Sequence, residues 1–284
     1  MFRNLNTGMI GVQATLPEAI GHAKAHGFGG IDLSIGEVQT LAQKHGVGYV
    51  KDLFAAAGVR PGSWSFPVEF RRDEEAWRAG LKALPMQAQL ACDLGCIRTA
   101  TWIMPGDNER TFQQNFDFHV DRLRPAAQIL ADYGCVFGLE FVGPRTQRTP
   151  RKYAFIHTLD GMRALCAAIG TGNLGLLLDI FHLYTSGGAI ADLAEITAQD
   201  VVVVHVNDAI AGRSADEQID NQRALPCETG VLDMAGFLQG LQAMGYDGPV
   251  TAEPFSQRVR DLPAAEALAQ TAAAMRKAWS LAGL

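Results

Sequence analysis

Basic residues are few and dispersed: 24 Lys and Arg stand against 30 Asp and Glu, a formal charge of −6 over 284 residues. Binding along a phosphate backbone needs a clustered basic surface. The one cluster here, Arg145, Arg148, Arg151 and Lys152, falls in a Pro- and Thr-rich loop and reads as a solvated loop, with a grip on an anionic group as the other option. No nucleic-acid partner is expected. Long apolar runs are missing too. None approaches the roughly 20 residues that cross a bilayer, and the opening MFRNLNTGMIGV has no basic segment leading into such a run, so neither a membrane partner nor a signal peptide is expected. Cysteine is scarce, with five residues at 92, 96, 135, 166 and 227. Cys92 and Cys96 are four apart, but no second Cys/His pair completes a zinc site. The five read as reduced thiols of a cytoplasmic protein. A glycine-rich phosphate loop is also lacking, because GFGG at 27–30 precedes a strand instead of following one. That argues against a doubly wound dinucleotide fold. No Pro/Ser/Gly linker divides the chain, and a single domain over 1–284 is expected.

What is present is alternation. Strand-like stretches at 8–12, 29–35, 60–67, 96–104 and 135–142, then LGLLLD, VVVVHVND and 248–255, are separated by helical patterns. The helices are expected at 17–26, up to 57, 73–94, 109–133, 159–169, 233–244 and 263–282. Pro85 and Pro125 are the weak points of the two longest. Eight strand–helix units in one chain is the count of a closed (β/α)8, or TIM, barrel. The nearly continuous apolar runs suit strands buried on both faces.

Several of these runs end in side chains that bind metals or move protons. Alternation along a strand decides which residues share a face. It turns Glu140 inward in GLEFV, places Asp179 last in LLLD, points His205 and Asn207 together in VVHVND, and turns Glu253 inward in VTAEPF. Strands five to eight therefore each bring one potential ligand to the catalytic rim. A charge within an apolar strand is costly unless paired or bound to a cation, and converging carboxylates repel. One divalent cation resolves that conflict. Carboxylates with an imidazole suit Mn²⁺, Co²⁺, Mg²⁺ or Zn²⁺, and ligand type does not choose among them. Trp64 and Trp102 end strands three and four. They are either core aromatics or apolar platforms for sugar C–H groups. Asn207, on the His205 face, joins them as a candidate substrate contact. His22, His26, His45 and His119 fall on helices and read as surface histidines.

The motifs GLEFVGP, LLLDIFH, HVND and TAEPF resemble the xylose isomerase-like sugar isomerase/epimerase superfamily over essentially the whole chain. The segment DEQIDNQRALPCETGVLDMAGFLQGLQAMGYDGPV is most similar to 2-keto-myo-inositol (inosose) isomerase-like proteins. The resemblance implies that Glu140, Asp179, His205 and Glu253 ligate a single divalent ion, with manganese the first expectation. It also implies that Glu140 and Glu253 exchange a proton on opposite sides of a substrate carbon. His182 matches the histidine of an Asp-x-x-His motif that contacts substrate or a ligand, and Arg223 matches an arginine that binds a substrate hydroxyl or carbonyl. The implied reaction is isomerisation or epimerisation of a polyhydroxy ketone, a keto-sugar or keto-inositol, through a metal-stabilised enediolate. A dehydratase or lyase using the same enolate is the alternative, and a metal-dependent phosphoesterase of the abasic-site endonuclease type a more distant one. Barrels of this superfamily often form homodimers or homotetramers. Three departures bear on the choice. Thr146 stands where ketose 3-epimerases carry a second Glu. Cys227 stands where Gly usually follows Pro226, either as a reactive thiol or as a tolerated substitution. Residues 209–230 contain no His, whereas the endonuclease branch needs one there.

Overall fold

The computed structural model describes residues 1–284. Eight parallel strands close into a barrel: β1 Phe2–Leu5, β2 Gly30–Leu33, β3 Arg60–Ser65, β4 Arg98–Ile103, β5 Val136–Phe141, β6 Leu174–Asp179, β7 Val201–Val206 and β8 Pro249–Ala252. The ring is completed by β8 against β1, through Phe2↔Pro249, Arg3↔Val250 and Asn4↔Thr251. The expected (β/α)8 barrel is the observed fold. No helix is long and apolar enough to cross a membrane.

The surrounding helices start where their sequences cap them. Asp73 accepts from the Ala76 N–H ahead of Glu74–Asp93, Thr111 and Gln114 form a reciprocal capping box ahead of Phe112–Asp132, and Thr158 accepts from the Gly161 N–H ahead of Leu159–Ile169. Pro85 and Pro125 lie inside the first two of these helices, which run on through them. Each proline removes one backbone hydrogen bond. The buried faces, with Leu84, Ala88 and Ala91 in one helix and Leu123, Ala126 and Leu130 in the other, outweigh that loss. One contiguous cluster of buried side chains joins strands to helices, whereas Leu177, Val202 and Val203 form a separate small cluster. Odd and even positions of the strands thus have different tasks. Leu139, Phe141, Leu176, Leu178, Val204 and Val206 belong to the large cluster, and the residues between them line the barrel interior.

Two expectations are corrected. The first strand is Phe2–Leu5, and residues 8–10 form a 3₁₀ turn closed by Gly11 at φ 81°. The strand is hard to see in the sequence because its inward residue is polar. Asn4 is wholly buried and donates to Asp32 Oδ1 at 2.6 Å and to Thr251 Oγ1 at 2.9 Å. His119 is not at the surface: it is 6% exposed, its Nδ1 lies 2.7 Å from the Asn115 carbonyl oxygen, and its ring stacks on Phe155. Burial lowers its pKa to about 4, so it is a neutral packing residue.

Room for the Asn4 amide is made by Gly62 on β3, where an added Cβ would collide with it. Gly62→Ala is expected to destabilise the chain by about 1–3 kcal/mol, the usual cost of overpacking. Gly21→Ala, in helix Leu16–His26 with open space around the new methyl, is expected to stabilise by about 0.5–1 kcal/mol. Urea denaturation of the two variants beside the parent checks both signs.

Candidate metal centre

Strand register brings the rim residues together. Asp179 and His205 are partners across β6 and β7, His205 pairs with Thr251 on β8, and Glu140 on β5 pairs with Trp102 on β4. Glu253 follows the end of β8, held by its N–H on the Val206 carbonyl at 2.9 Å. One ligand atom from each of Glu140, Asp179, His205 and Glu253 lies within 4.8 Å of the other three, and all four residues are buried. A single divalent ion, with bonds of about 2.0–2.2 Å, gathers such a set after small side-chain adjustments.

Two observations test whether the set fits an ion. Glu140 Oε1 and His205 Nδ1 are buried without a hydrogen-bond partner. They lie 3.8 Å apart, and His205 Nδ1 is 3.5 Å from Glu253 Oε2. Unpaired buried polar atoms are costly, and these two face one another across the gap. The second observation is charge. Three buried carboxylates meet one buried guanidinium, Arg223, whose Nη1 donates to Asp179 Oδ2 at 2.7 Å and Glu253 Oε2 at 3.0 Å. With His205 neutral, two negative charges remain among these buried groups, and the partly exposed Asp220 on the same guanidinium adds another, an excess that a divalent cation offsets. The residues fit the ion.

Protonation in the ion-free chain reflects the same imbalance. Burial raises the Glu140 carboxyl well above its usual range, and the neighbouring Glu253 carboxylate adds to the shift. Burial acts the same way on Glu253, but His205 and Arg223 outweigh it and hold that carboxyl low. His205 is disfavoured as a cation by burial, yet Glu253, Glu140 and Asp179 together raise it to about 9.

The supporting residues are individually placed. Asp179 accepts from the Phe181 N–H at 2.7 Å, which starts the short helix Ile180–Thr185, and from Asn207 Nδ2 at 3.1 and 3.3 Å. Asn207 is wholly buried, so its amide steadies a ligand from beneath, and the structure shows it turned onto Asp179. The helix presents His182, whose Nδ1 accepts from the Gly143 N–H at 3.2 Å. Its Nε2 lies 3.1 Å from Arg223 Nη2, so both ring nitrogens face N–H donors, with Glu140 Oε1 at 3.8 Å and Asp220 Oδ1 at 3.7 Å beyond. Burial, then Arg223, lower the ring's pKa to about 3 and keep it neutral. Gly143 has no substitute here, because a Cβ would strike the His182 carbonyl.

Arg223 is 3% exposed, with its guanidinium between the Phe181 and Phe255 rings at 4.5 and 4.8 Å from their centroids. Asp220 Oδ1 accepts from its Nη2 at 2.7 Å. The loop that delivers it is fastened by Asp208, which accepts from the N–H groups of Ala209, Thr229, Gly230 and Leu232 at 2.7–3.0 Å. Thr146 donates to the Gln218 carbonyl at 2.8 Å and so ties a second loop to the same segment. Cys227 explains why glycine suits its position: its φ of 60° is left-handed. Burial raises its thiol pKa, which disfavours the reactive thiolate. Arg145 is paired with Asp216 at 2.7 Å on the surface.

A cavity of about 320 Å³, lined by Trp102, Met104, Glu140, His182, Asp220, Arg223, Glu253 and Phe255, opens above the ligand set. Trp102 stands 42% exposed at its edge, whereas Trp64 is 1% exposed within the barrel. The sequence reading passed over Gly143, Asp220, Arg71 and Asp32. Only Asp32, an acid on the apolar strand GIDL, carried the inward-charge signal that marks the other ligands. A larger cavity of about 580 Å³ near the amino end of β6, between Arg163 and Asp200, contains none of these groups.

A barrel with this ligand set at the carboxyl ends of its strands belongs to a recognisable class. The model of the xylose isomerase-like TIM barrel family matches residues 20–278, and the chain belongs to that family. Inosose isomerase from Halalkalibacterium halodurans is 28% identical over 149 residues, 52% of this chain and 50% of that protein, so the match spans about half its length. A 3-dehydroshikimate dehydratase from Pseudomonas aeruginosa is 29% identical over 144 residues, 50% of this chain and 21% of that protein. A xylose isomerase domain protein from Alicyclobacillus acidocaldarius superposes with a TM-score of 0.88 at 27% identity, covering 99% of both chains. An IolI protein solved with a zinc atom gives 0.80 at 21% identity, covering 100% of this chain and 98% of that one, a likeness of fold.

Metal uptake is expected to release protons. An imidazole must be neutral to ligate, and His205 is a cation below about 9, so affinity is expected to rise with pH and level off above that value. Calorimetric titration with Mn²⁺ at pH 7.5 in two buffers of different ionisation enthalpy should show release of at least one proton. Heats independent of buffer would contradict the assignment of His205.

Proposed function

We propose that the chain is a divalent-metal-dependent isomerase or epimerase of a keto-sugar or keto-inositol. The observation that carries this reading is the convergence of Glu140, Asp179, His205 and Glu253 to within 4.8 Å of one another beside a cavity that Glu140 and Glu253 line, with Glu140 Oε1 and His205 Nδ1 orphaned. A divalent ion bound there supplies Lewis-acid polarisation of a carbonyl and an adjacent hydroxyl oxygen, worth several kcal/mol. Manganese is the first ion to test, and the zinc of the IolI neighbour makes zinc the second.

The chain's own residues supply the rest. Glu140 and Glu253 come from β5 and from the end of β8, and both line the cavity. One takes the proton α to the carbonyl and the other returns a proton to the neighbouring carbon or the opposite face, a positioned-base effect of about 10²–10⁴ in rate. His182 is held neutral at the cavity wall, and its Nε2, 3.1 Å from Arg223 Nη2, helps to orient that guanidinium beside the reacting groups. Arg223 keeps the Asp179 and Glu253 carboxylates in place, and because its N–H groups are all engaged, on those two, Asp220 and His182, it acts by positioning and not by direct contact with substrate. Trp102 presents an apolar face to ring C–H groups.

The second reading is a dehydratase or lyase on a keto-inositol or 3-keto sugar, favoured by the similarity to the dehydratase from Pseudomonas aeruginosa. It uses the same proton abstraction and differs in the fate of the β-hydroxyl. A multi-metal phosphoesterase is disfavoured, because the structure gathers one four-ligand group.

Glu253→Gln is expected to abolish deuterium exchange from solvent into a keto-inositol while the chain still takes up one divalent ion. Undiminished exchange would remove Glu253 from the proton path. Mass spectrometry of the product separates the two readings, since elimination loses 18 mass units of water and isomerisation none.

A further inference from the structure

The cavity above the ligand set does not end there. A second lobe of about 290 Å³ shares Trp102, Glu140 and Glu253 with the first and extends under β1–β4. At its far side stands Asp32, on β2, from the same inward rows that carry the metal ligands. Its carboxylate is fixed by neutral donors only: Asn4 Nδ2 at 2.6 Å and Ser63 Oγ at 2.7 Å on Oδ1, and Asn6 Nδ2 at 3.1 Å on Oδ2. No Lys, Arg or His forms an ion pair with it. Oδ2, with a single donor, keeps capacity to accept another hydrogen bond. Trp64 borders the lobe, but its side chain is buried in the strand–helix cluster.

The lobe's one guanidinium is already engaged. Arg71 Nη2 donates to Thr101 Oγ1 at 3.0 Å and to the Trp102 carbonyl, and its plane lies 4.2 and 3.9 Å from the Phe70 and Trp102 ring centroids. It clamps Trp102 between the lobes. Besides the ligands Glu140, His205 and Glu253, the remaining functional groups are a rigid acceptor carboxylate and hydroxyl and amide groups. This set suits hydroxyl groups, which donate to carboxylates and accept from amide and hydroxyl donors. It does not suit a ring bearing its own carboxylate, which would face Asp32 without a free cation.

We propose that this second lobe is a polyol subsite in which Asp32 accepts hydrogen bonds from hydroxyls of a neutral polyhydroxy ring whose reacting carbon lies between Glu140 and Glu253. The assignment rests on the isomerase or lyase reading and narrows it to uncharged polyhydroxy ketones. Asp32 is a specificity-determining residue.

The test uses the manganese-loaded full chain and two probes, myo-inositol as a neutral ring polyol and shikimate as a hydroxylated ring with a carboxylate, with binding measured by calorimetry. The parent is expected to bind myo-inositol more tightly than shikimate. Asp32→Asn is expected to weaken myo-inositol binding about tenfold or more, as for loss of a charged acceptor, with one manganese per chain retained. Ser63→Ala, which leaves the carboxylate but removes one of its supports, is expected to weaken it about threefold and carries the test if the Asp32 variant does not fold. Equal myo-inositol affinity in parent and variants, tighter parent binding of shikimate, or no binding of myo-inositol by the parent overturns the proposal. Manganese uptake by the parent keeps these outcomes separate from failure of the metal-dependent reading, which would show as no uptake at all.

Discussion

Three carboxylates taken out of water at the mouth of one barrel cannot all remain ionised without cations beside them. That constraint organises the upper half of this molecule. Arg223 supplies one permanent positive charge, bonded at once to Asp179 and Glu253. In the ion-free chain the rest is met by proton uptake, on His205 and on Glu140. A divalent ion meets it instead by replacing protons with coordination, which also gives the orphaned Glu140 Oε1 and His205 Nδ1 a partner. The site is thus frustrated until it is filled, an arrangement expected of a binding centre more than of a structural core.

Keeping Arg223 in place takes more chain than the ligands themselves. The arginine lies on a long connection after β7, where a free loop would leave a buried guanidinium poorly directed. Asp208 collects four backbone N–H groups from both ends of that connection, Gln218 bridges its middle, and Thr146 fastens it to the loop after β5. Phe255, with a left-handed φ of 37°, closes over the guanidinium. A bulky residue in that conformation is strained, and the strain sits against the cavity it helps to line. Stability is spent on holding a cation still among its anions.

The other half of the barrel mouth is built on a different principle. Around Asp32 the partners are neutral amides and hydroxyls, so its charge is solvated by dipoles and not cancelled. A buried and a half-buried carboxylate environment therefore lie on either side of Glu140 and Glu253. One is dense with ionic pairs, and the other is neutral except for its single acid and a clamped arginine. The small residues Gly30 and Gly62 leave space for the Asn4 amide that supports the second.

Much of this was legible in the chain because burial and periodicity leave strong marks. LGLLLD and VVVVHV announce strands enclosed on both faces, and an acid or imidazole at the end of such a run has no cheap explanation other than a site. Glu140, Asp179, His205 and Glu253 were visible for that reason, and so was the eight-fold alternation. Strand β1 was not, because its inward Asn4 breaks the apolar pattern, and His119 passed for a surface residue because a histidine on a helix carries no sign of which face it is on. The Asn207 amide shares a face with His205 in the sequence, but its bond to Asp179 is a contact between strands that alternation along one strand cannot reveal. The sequence by itself determined the barrel and the residues that carry charge into it, since both follow from local periodicity and the cost of burying a charge. Only the tertiary structure decided which charges neutralise one another, which donors close around His182 and what Asp32 faces, because those depend on distances between strands and loops far apart in the chain.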